Sequence, residues 1–293
     1  MSSARLASLF WTAAPALFVL FWAGGYSFAK LGLAHIEPIT MLVLRYGLAM
    51  LCLLPLLAIF CPPLPRDPSQ WATMVASGFL IQCVYFGMAY LAMKQGLAAG
   101  ATAIVMALQP ALVAVSSPLI GAPRGRPAMW LGIALGFAGV ALSVLDRTGA
   151  VPISAGLIAI GALLGLTVAT LLEKADGRRI NPVLGGFVQY VVGFAVLLPV
   201  AYAFETMRIR WHPDLILSLA YLVIANSLIS IGLYVALVRR GDATRVSSLL
   251  YLVPPLAILL AWALLGEDIT WRVVVGFALC LTGFYIVGLF REA

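Results

Sequence analysis

One arginine stands inside an apolar run. It is Arg45, within IEPITMLVLRYGLAMLCLLP at 36–55. A guanidinium in such a setting marks a functional site by default. It would hold a carboxylate or phosphate, or else cap carbonyls of a neighbouring helix. Its side chain points back toward the start of its helix and is long enough to reach an interface, so both roles stay open. Two carboxamides, Gln82 and Asn226, also lie in apolar runs, where each needs a protein partner or a wet cavity. Asn226, Ser230 and Tyr234 follow at i, i+4 and i+8, one face of an α-helix. Gln82, Tyr85 and Tyr90 form a similar group. Gln109 adjoins Pro110, and Tyr251 lies one turn before Pro255. A proline frees the carbonyl four residues back, here at Met106 and Tyr251. Pro110 and Pro255 are therefore expected helix breaks that present polar backbone. Trp22 and Tyr26, one turn apart, offer aromatic faces. The chemistry on offer is binding, with one positive charge, hydrogen-bonding side chains and aromatic rings.

Groups for covalent or acid–base work are missing from the same runs. All eleven acidic residues lie in connections or within about a turn of a run's end. The two histidines, His35 and His212, lie in opposite halves of the chain. There is no aspartate pair, Ser–His pair or zinc-type histidine set inside a run. The four cysteines lack metal-ligand spacing and read as packing residues. The sequence predicts no catalytic residue, no metal and no cofactor.

The elements that must position these residues are membrane helices. The chain is 63% apolar and 10% charged, against about 25% charged for a soluble domain, so lipid is the solvent for most of it. Apolar runs predict ten spans, at 10–30, 38–60, 70–92, 98–120, 128–146, 152–172, 182–204, 213–237, 243–265 and 270–290. Their connections leave no room for a soluble catalytic domain. Trp11, Trp71, Trp130, Trp211 and Trp271 fall at span ends, as interfacial anchors do. The net charge of +7 comes with no basic–aromatic patch, so no nucleic-acid partner is expected. With the N-terminus in the cytoplasm, eleven of the 18 Lys and Arg residues flank inner span ends, six flank outer ends and Arg45 lies within a span. That bias puts both termini in the cytoplasm.

The chain also repeats itself. Ile36, Pro38, Tyr46, Leu54 and Pro55 recur 144 residues later as Ile180, Pro182, Tyr190, Leu198 and Pro199. Arg45 is matched by Gln189, Gln82 by Asn226 and Tyr90 by Tyr234. Pro110 is matched to Pro255 after a one-residue insertion, and Gly132 and Gly139 to Gly276 and Gly283. The division is 1–147 and 148–293, each with five spans. Five is odd, so the halves have opposite topology, the arrangement of secondary transporters with a site near the midplane.

FWAGGYSFAKLGL at 21–33 and LRYGLAMLCLLP at 44–55 resemble the opening of EamA-domain proteins of the drug/metabolite transporter superfamily. SSLLYLVPPLAILLAWALLGEDITWRVVVGFALCLTGFYIVG at 247–288 resembles the end of that domain. The resemblance implies an all-α bundle of ten helices in two inverted five-helix repeats, with a cavity lined mainly by helices 1, 3, 4, 6, 8 and 9. It implies a multi-pass exporter of the cytoplasmic (inner) membrane, a monomer or homodimer, acting on small polar or zwitterionic metabolites such as amino acids. The expected cavity residues are Trp22, Tyr26, Arg45, Gln82, Tyr85, Tyr90, Gln109, Asn226, Ser230, Tyr234 and Tyr251. Alternatives are a proton-coupled antiporter of drugs or cations, a phosphorylated-metabolite exchanger and a non-transporting membrane sensor. Related small multidrug-resistance proteins use a mid-membrane glutamate, which this chain lacks. Phosphate exchangers need several cavity cations, and here only Arg45 and Lys30 are available.

Overall fold

A computed structural model of the chain describes residues 3–121, 128–144, 152–176, 181–230, 232–233, 237, 249 and 252–289. Among these the structure is helical, with no strand. Seven helices are long and apolar enough to cross a membrane. They are α1 (Ser3–Gly32), α2 (Pro38–Phe60), α3 (Pro68–Lys94), α4 (Ala99–Ile120), α6 (Ile153–Asp176), α7 (Pro182–Phe204) and α8 (Pro213–Ser230). Three shorter apolar helices are α5 (Ala128–Val144), α9 (Val253–Leu265) and α10 (Trp271–Leu289). Leu51, Ile59, Phe60, Tyr202 and Phe204 stand exposed on the outside. The molecule is a multi-pass membrane protein, and these side chains face lipid.

The helix starts follow from local chemistry. Proline opens α2, α3, α7 and α8, at the position where its missing N–H would have no helical partner anyway. Asp67 accepts from Ser69 N at 2.9 Å, and Asn181 from Val183 N at 3.0 Å. Elsewhere the cap comes from a distant part of the chain. Glu205 accepts from Ile39 N at 2.8 Å and from Thr40 N and Oγ1 at 2.7 Å each, closing the start of α2. Glu37 returns the contact, accepting from Thr206 N and Oγ1 at 2.8 Å each. Glu267 caps α4 through Ala99 N at 2.9 Å and Gly100 N at 3.3 Å. Two lysines cap helix ends crosswise. Lys30, at the end of α1, donates to Met93 O at 3.2 Å and to Leu97 O beyond α3. Lys94, at the end of α3, donates to Leu33 O at 2.6 Å and Ile36 O at 3.2 Å beyond α1.

Three helices depart from regular winding. The middle of α3 is π-helical over Phe79–Tyr85, and α8 is π-helical over Tyr221–Ser230. Helix α4 breaks at Ala107–Leu108 and restarts at Gln109, with Pro110 in its new first turn. Helix α9 begins at Val253, with Pro254 in its first turn.

Residues of the two sequence copies meet each other, Tyr46 with its own mate and two glycine pairs crosswise. Tyr46 and Tyr190 pack with ring centroids 5.6 Å apart where α2 crosses α7. Gly139 meets Gly276, and Gly132 meets Gly283, where α5 runs along α10. A Cβ on Gly139 would lie 2.3 Å from Gly276 O, and one on Gly283 would lie 2.2 Å from Gly132 O. Backbones in contact at this distance leave no space for any side chain. Gly139→Leu should therefore lower unfolding stability in detergent by about 1–3 kcal/mol. Gly186→Ala, where an added Cβ meets nothing within 4 Å, should stay within about 1 kcal/mol of the parent. Thermal melts of the two variants check the contrast.

Candidate functional site

Helices α1, α2, α3, α4, α6, α7, α8 and α9 surround a cavity of about 300 Å³, at the small end of the range for small-molecule sites. Its wall includes Trp22, Tyr26, Arg45, Gln82, Tyr85, Tyr90, Gln109, Pro110 and Asn226. These nine expected residues, spread over more than 200 positions of sequence, are thus brought to one place.

The centre of the wall is Arg45, 2% exposed. Its Nη1 donates to Tyr90 Oη at 3.0 Å. Its Nη2 donates to Asn226 Oδ1 at 2.9 Å and Ser227 Oγ at 3.1 Å. The guanidinium carbon lies 4.6 Å from the centroid of Phe86. All three hydrogen-bond partners are neutral, and Nε is buried without one. The arginine neither snorkels nor caps a helix. It is held in place by dipoles, and among the described residues no carboxylate pairs with it.

Asn226 is the hinge of this arrangement. Its Oδ1 serves Arg45 while its Nδ2 donates to Phe21 O of α1 at 3.2 Å. Gly24 and Gly25 make the approach to α1 possible. A Cβ on Gly25 would stand 2.7 Å from Asn226 Nδ2, and one on Gly24 would stand 2.2 Å from Tyr221 Oη. Tyr221 donates to Leu20 O at 3.1 Å and stacks on Phe28 with centroids 3.8 Å apart.

The other polar residues form one short chain and two pairs. Gln82 Nε2 donates to Gln189 Oε1 at 3.4 Å, and Gln189 Nε2 to Glu173 Oε1 at 3.4 Å. Gln82 Oε1 is buried without a partner. Gln109 Nε2 donates to Thr170 Oγ1 at 2.9 Å on α6. The Tyr26 and Tyr85 hydroxyls are 3.5 Å apart. Behind the wall, Tyr46 Oη donates to Gln82 O at 2.8 Å, a carbonyl of the π-helical segment.

The remaining expectations fare differently. Ser230 is fully buried and donates to Phe18 O at 3.4 Å, away from the cavity wall. Like Asn226 it reaches a carbonyl of α1, but it is sealed between the two helices and does not line the cavity. Pro254, not Pro255, lines the cavity together with Pro110. It stands 144 positions after Pro110, the spacing of the opening repeat without the inserted residue. Tyr234 and Tyr251 lie outside the described residues. Gln189, Tyr190 and Phe86 also line the wall and were not expected there. Repeat pairing with Arg45 and Tyr46 was the available signal for the first two, and Phe86 had none.

His35 and His212, remote in sequence, stack with ring centroids 4.3 Å apart, outside the cavity. Tyr46→Phe removes one buried hydrogen bond and no wall atom. It should lower stability by about 0.5–1.5 kcal/mol, read as a melting shift, with ligand affinity unchanged.

Comparison with known proteins accords with this architecture. The model of the EamA-like transporter family matches residues 9–145 and again 153–289. The uncharacterized transporter YvbV of Bacillus subtilis is 25% identical over 93% of this chain and 89% of its own length. The uncharacterized inner membrane transporter YedA of Escherichia coli K12 is 29% identical over 87% and 83%. A Salmonella typhimurium protein named probable amino-acid metabolite efflux pump is 26% identical over 92% of each chain. One crystal structure superposes with a TM-score of 0.65, at 21% identity, over 96% of this chain and 97% of that one, a likeness of fold. With one family model matching both copies of its repeat, the chain belongs to the EamA-like transporter family.

Proposed function

We propose that the chain is an inner-membrane secondary transporter that exports small metabolites bearing a carboxylate, amino acids first among them. The observation that carries this is the uncompensated Arg45 in the cavity wall. A buried charge is costly without a counter-ion, and a guanidinium pairs well with a planar carboxylate through parallel hydrogen bonds. A substrate carboxylate at Arg45 would supply the missing charge. Trp22, Tyr26 and Tyr85 in the same wall offer aromatic faces to the ammonium group of a zwitterion. The Salmonella relative's name points the same way.

The reading includes the layout that the sequence suggests. The seven long and three shorter helices would act as ten spans in two inverted sets of five, at 1–147 and 148–293, with both termini cytoplasmic. Rocking of one set against the other would expose the cavity to each side in turn. The contact of Tyr46 with its mate Tyr190, and the crosswise contacts Gly139–Gly276 and Gly132–Gly283 that the repeat pairing exchanges, support such a twofold relation.

A second reading, proton-coupled export of cations, has one observation behind it. Glu173 is reached from the cavity wall through Gln189. It is not itself part of that wall, so the carboxylate reading is favoured.

Uptake into proteoliposomes, with a panel of amino acids, sugar phosphates and cationic dyes, tests the proposal. Arg45→Gln, which copies the polar mate Gln189, should cut flux of carboxylate substrates at low concentration about 10- to 100-fold. That matches about 1.5–3 kcal/mol for hydrogen bonds to a charged group. Asn226→Ala should weaken flux as well, by releasing Nη2. Unchanged amino-acid flux in Arg45→Gln sinks the reading. Dye flux that follows a proton gradient and disappears in Glu173→Gln would replace it with the second.

A further inference from the structure

At the end of the bundle where α1 gives way to α2, three metal-ligating side chains converge from both copies of the repeat. His35 comes from the α1–α2 turn, and His212 and Asp214 from the start of α8. His35 Nε2 lies 3.5 Å from Asp214 Oδ2, and His212 Nδ1 lies 3.1 Å from the same oxygen. One donor atom from each residue falls within 4.8 Å of the other two. Ligand atoms around tetrahedral zinc, with bonds of about 2.0–2.1 Å, stand roughly 3.3 Å apart. Two of the three edges already match that spacing. The side chains are 21%, 50% and 43% exposed, so an ion in water can reach them.

We infer that His35, His212 and Asp214 form a site for a divalent transition-metal ion of the zinc type, which ties the two halves of the chain together. The donor set, two imidazoles and one carboxylate, selects zinc, nickel or copper over magnesium and calcium, which prefer all-oxygen sites. The fourth position is left to water. The backbone frame holds the ligands near one another without the ion, because Arg210 N donates to His35 O at 3.2 Å. Asp214 stands in the first turn of α8, directly after Pro213. Binding asks the two rings to turn out of their stack by roughly tens of degrees, since rings within 11° of parallel cannot both aim in-plane lone pairs at an ion about 2 Å away. It also replaces the 3.3 Å contact from Asp214 N to His212 Nδ1.

The ion would join the same two connections that the Glu37–Thr206 and Glu205–Thr40 contacts join. In the proposed orientation this is the outer face, so the metal would hold that face closed and slow any cycle that must open it. None of the three ligands belongs to the cavity wall, and the site stands or falls independently of what is transported.

The test is metal binding by the purified full-length chain in detergent, by equilibrium dialysis against zinc chloride with elemental analysis and melting curves. The parent should bind one zinc ion per chain and melt higher with zinc, and magnesium should do neither. His35→Ala and Asp214→Asn should bind at least about tenfold more weakly and lose the shift. His212→Asn, which keeps a capping side chain at the start of α8, should behave the same way while melting like the parent without metal. Absence of zinc binding by the parent, or binding unaltered in His35→Ala and His212→Asn, overturns the inference.

Discussion

In a membrane, a backbone group that finds no partner within the protein finds none at all, and the ends of helices are where partners run short. This chain meets much of that requirement by having residues of one helix or its loop finish another. Glu205 completes α2, Glu267 completes α4, and Lys30 and Lys94 complete α3 and α1 crosswise. The acidic residues avoid the spans yet sit at their edges because the exposed N–H groups are there. The caps also decide which helices can be neighbours, since a glutamate can reach only a helix end beside its own loop.

The interior repeats the logic at the site. A guanidinium held only by neutral dipoles is poised for an anion, because the desolvation has been met in part while the charge itself is unbalanced. Asn226 makes this possible by facing two ways, toward Arg45 with its oxygen and toward the α1 backbone with its amide. The two glycines of the α1 motif matter for what they leave out. Without side chains there, α8 can deliver Tyr221 and Asn226 onto carbonyls of α1.

Much of this was legible in the chain, for physical reasons that can be named. Hydropathy set the helices, and prolines marked the starts of α2, α3, α7 and α8. Because carboxamides and a lone arginine cannot face lipid, Arg45, Gln82 and Asn226 had to face inward, and they do. The misses have separate causes. Ser230 shares the α1-facing side of α8 with Asn226 but is buried against the α1 backbone, a tertiary matter that local spacing does not carry. Pro255 was chosen over its neighbour Pro254 because two prolines in a row fit two alignments of the repeat. The meeting of His35 with His212 was hidden because nothing in either loop names the other.

The two π-helical segments have a mechanical consequence. Helix α3 is held near both ends, by the Asp67 cap and the Lys30 contact, and α8 is held at its start by the His212 cap. A helix held in this way cannot easily slide. A stretch wound with i→i+5 bonds carries more chain per unit of height than an α-helix does, so it is stored slack. Rewinding it would turn Gln82 in one helix and Asn226 in the other relative to the held ends, about the axis of each helix. The polar faces of the cavity are thus mounted on the parts of the two helices best able to swivel.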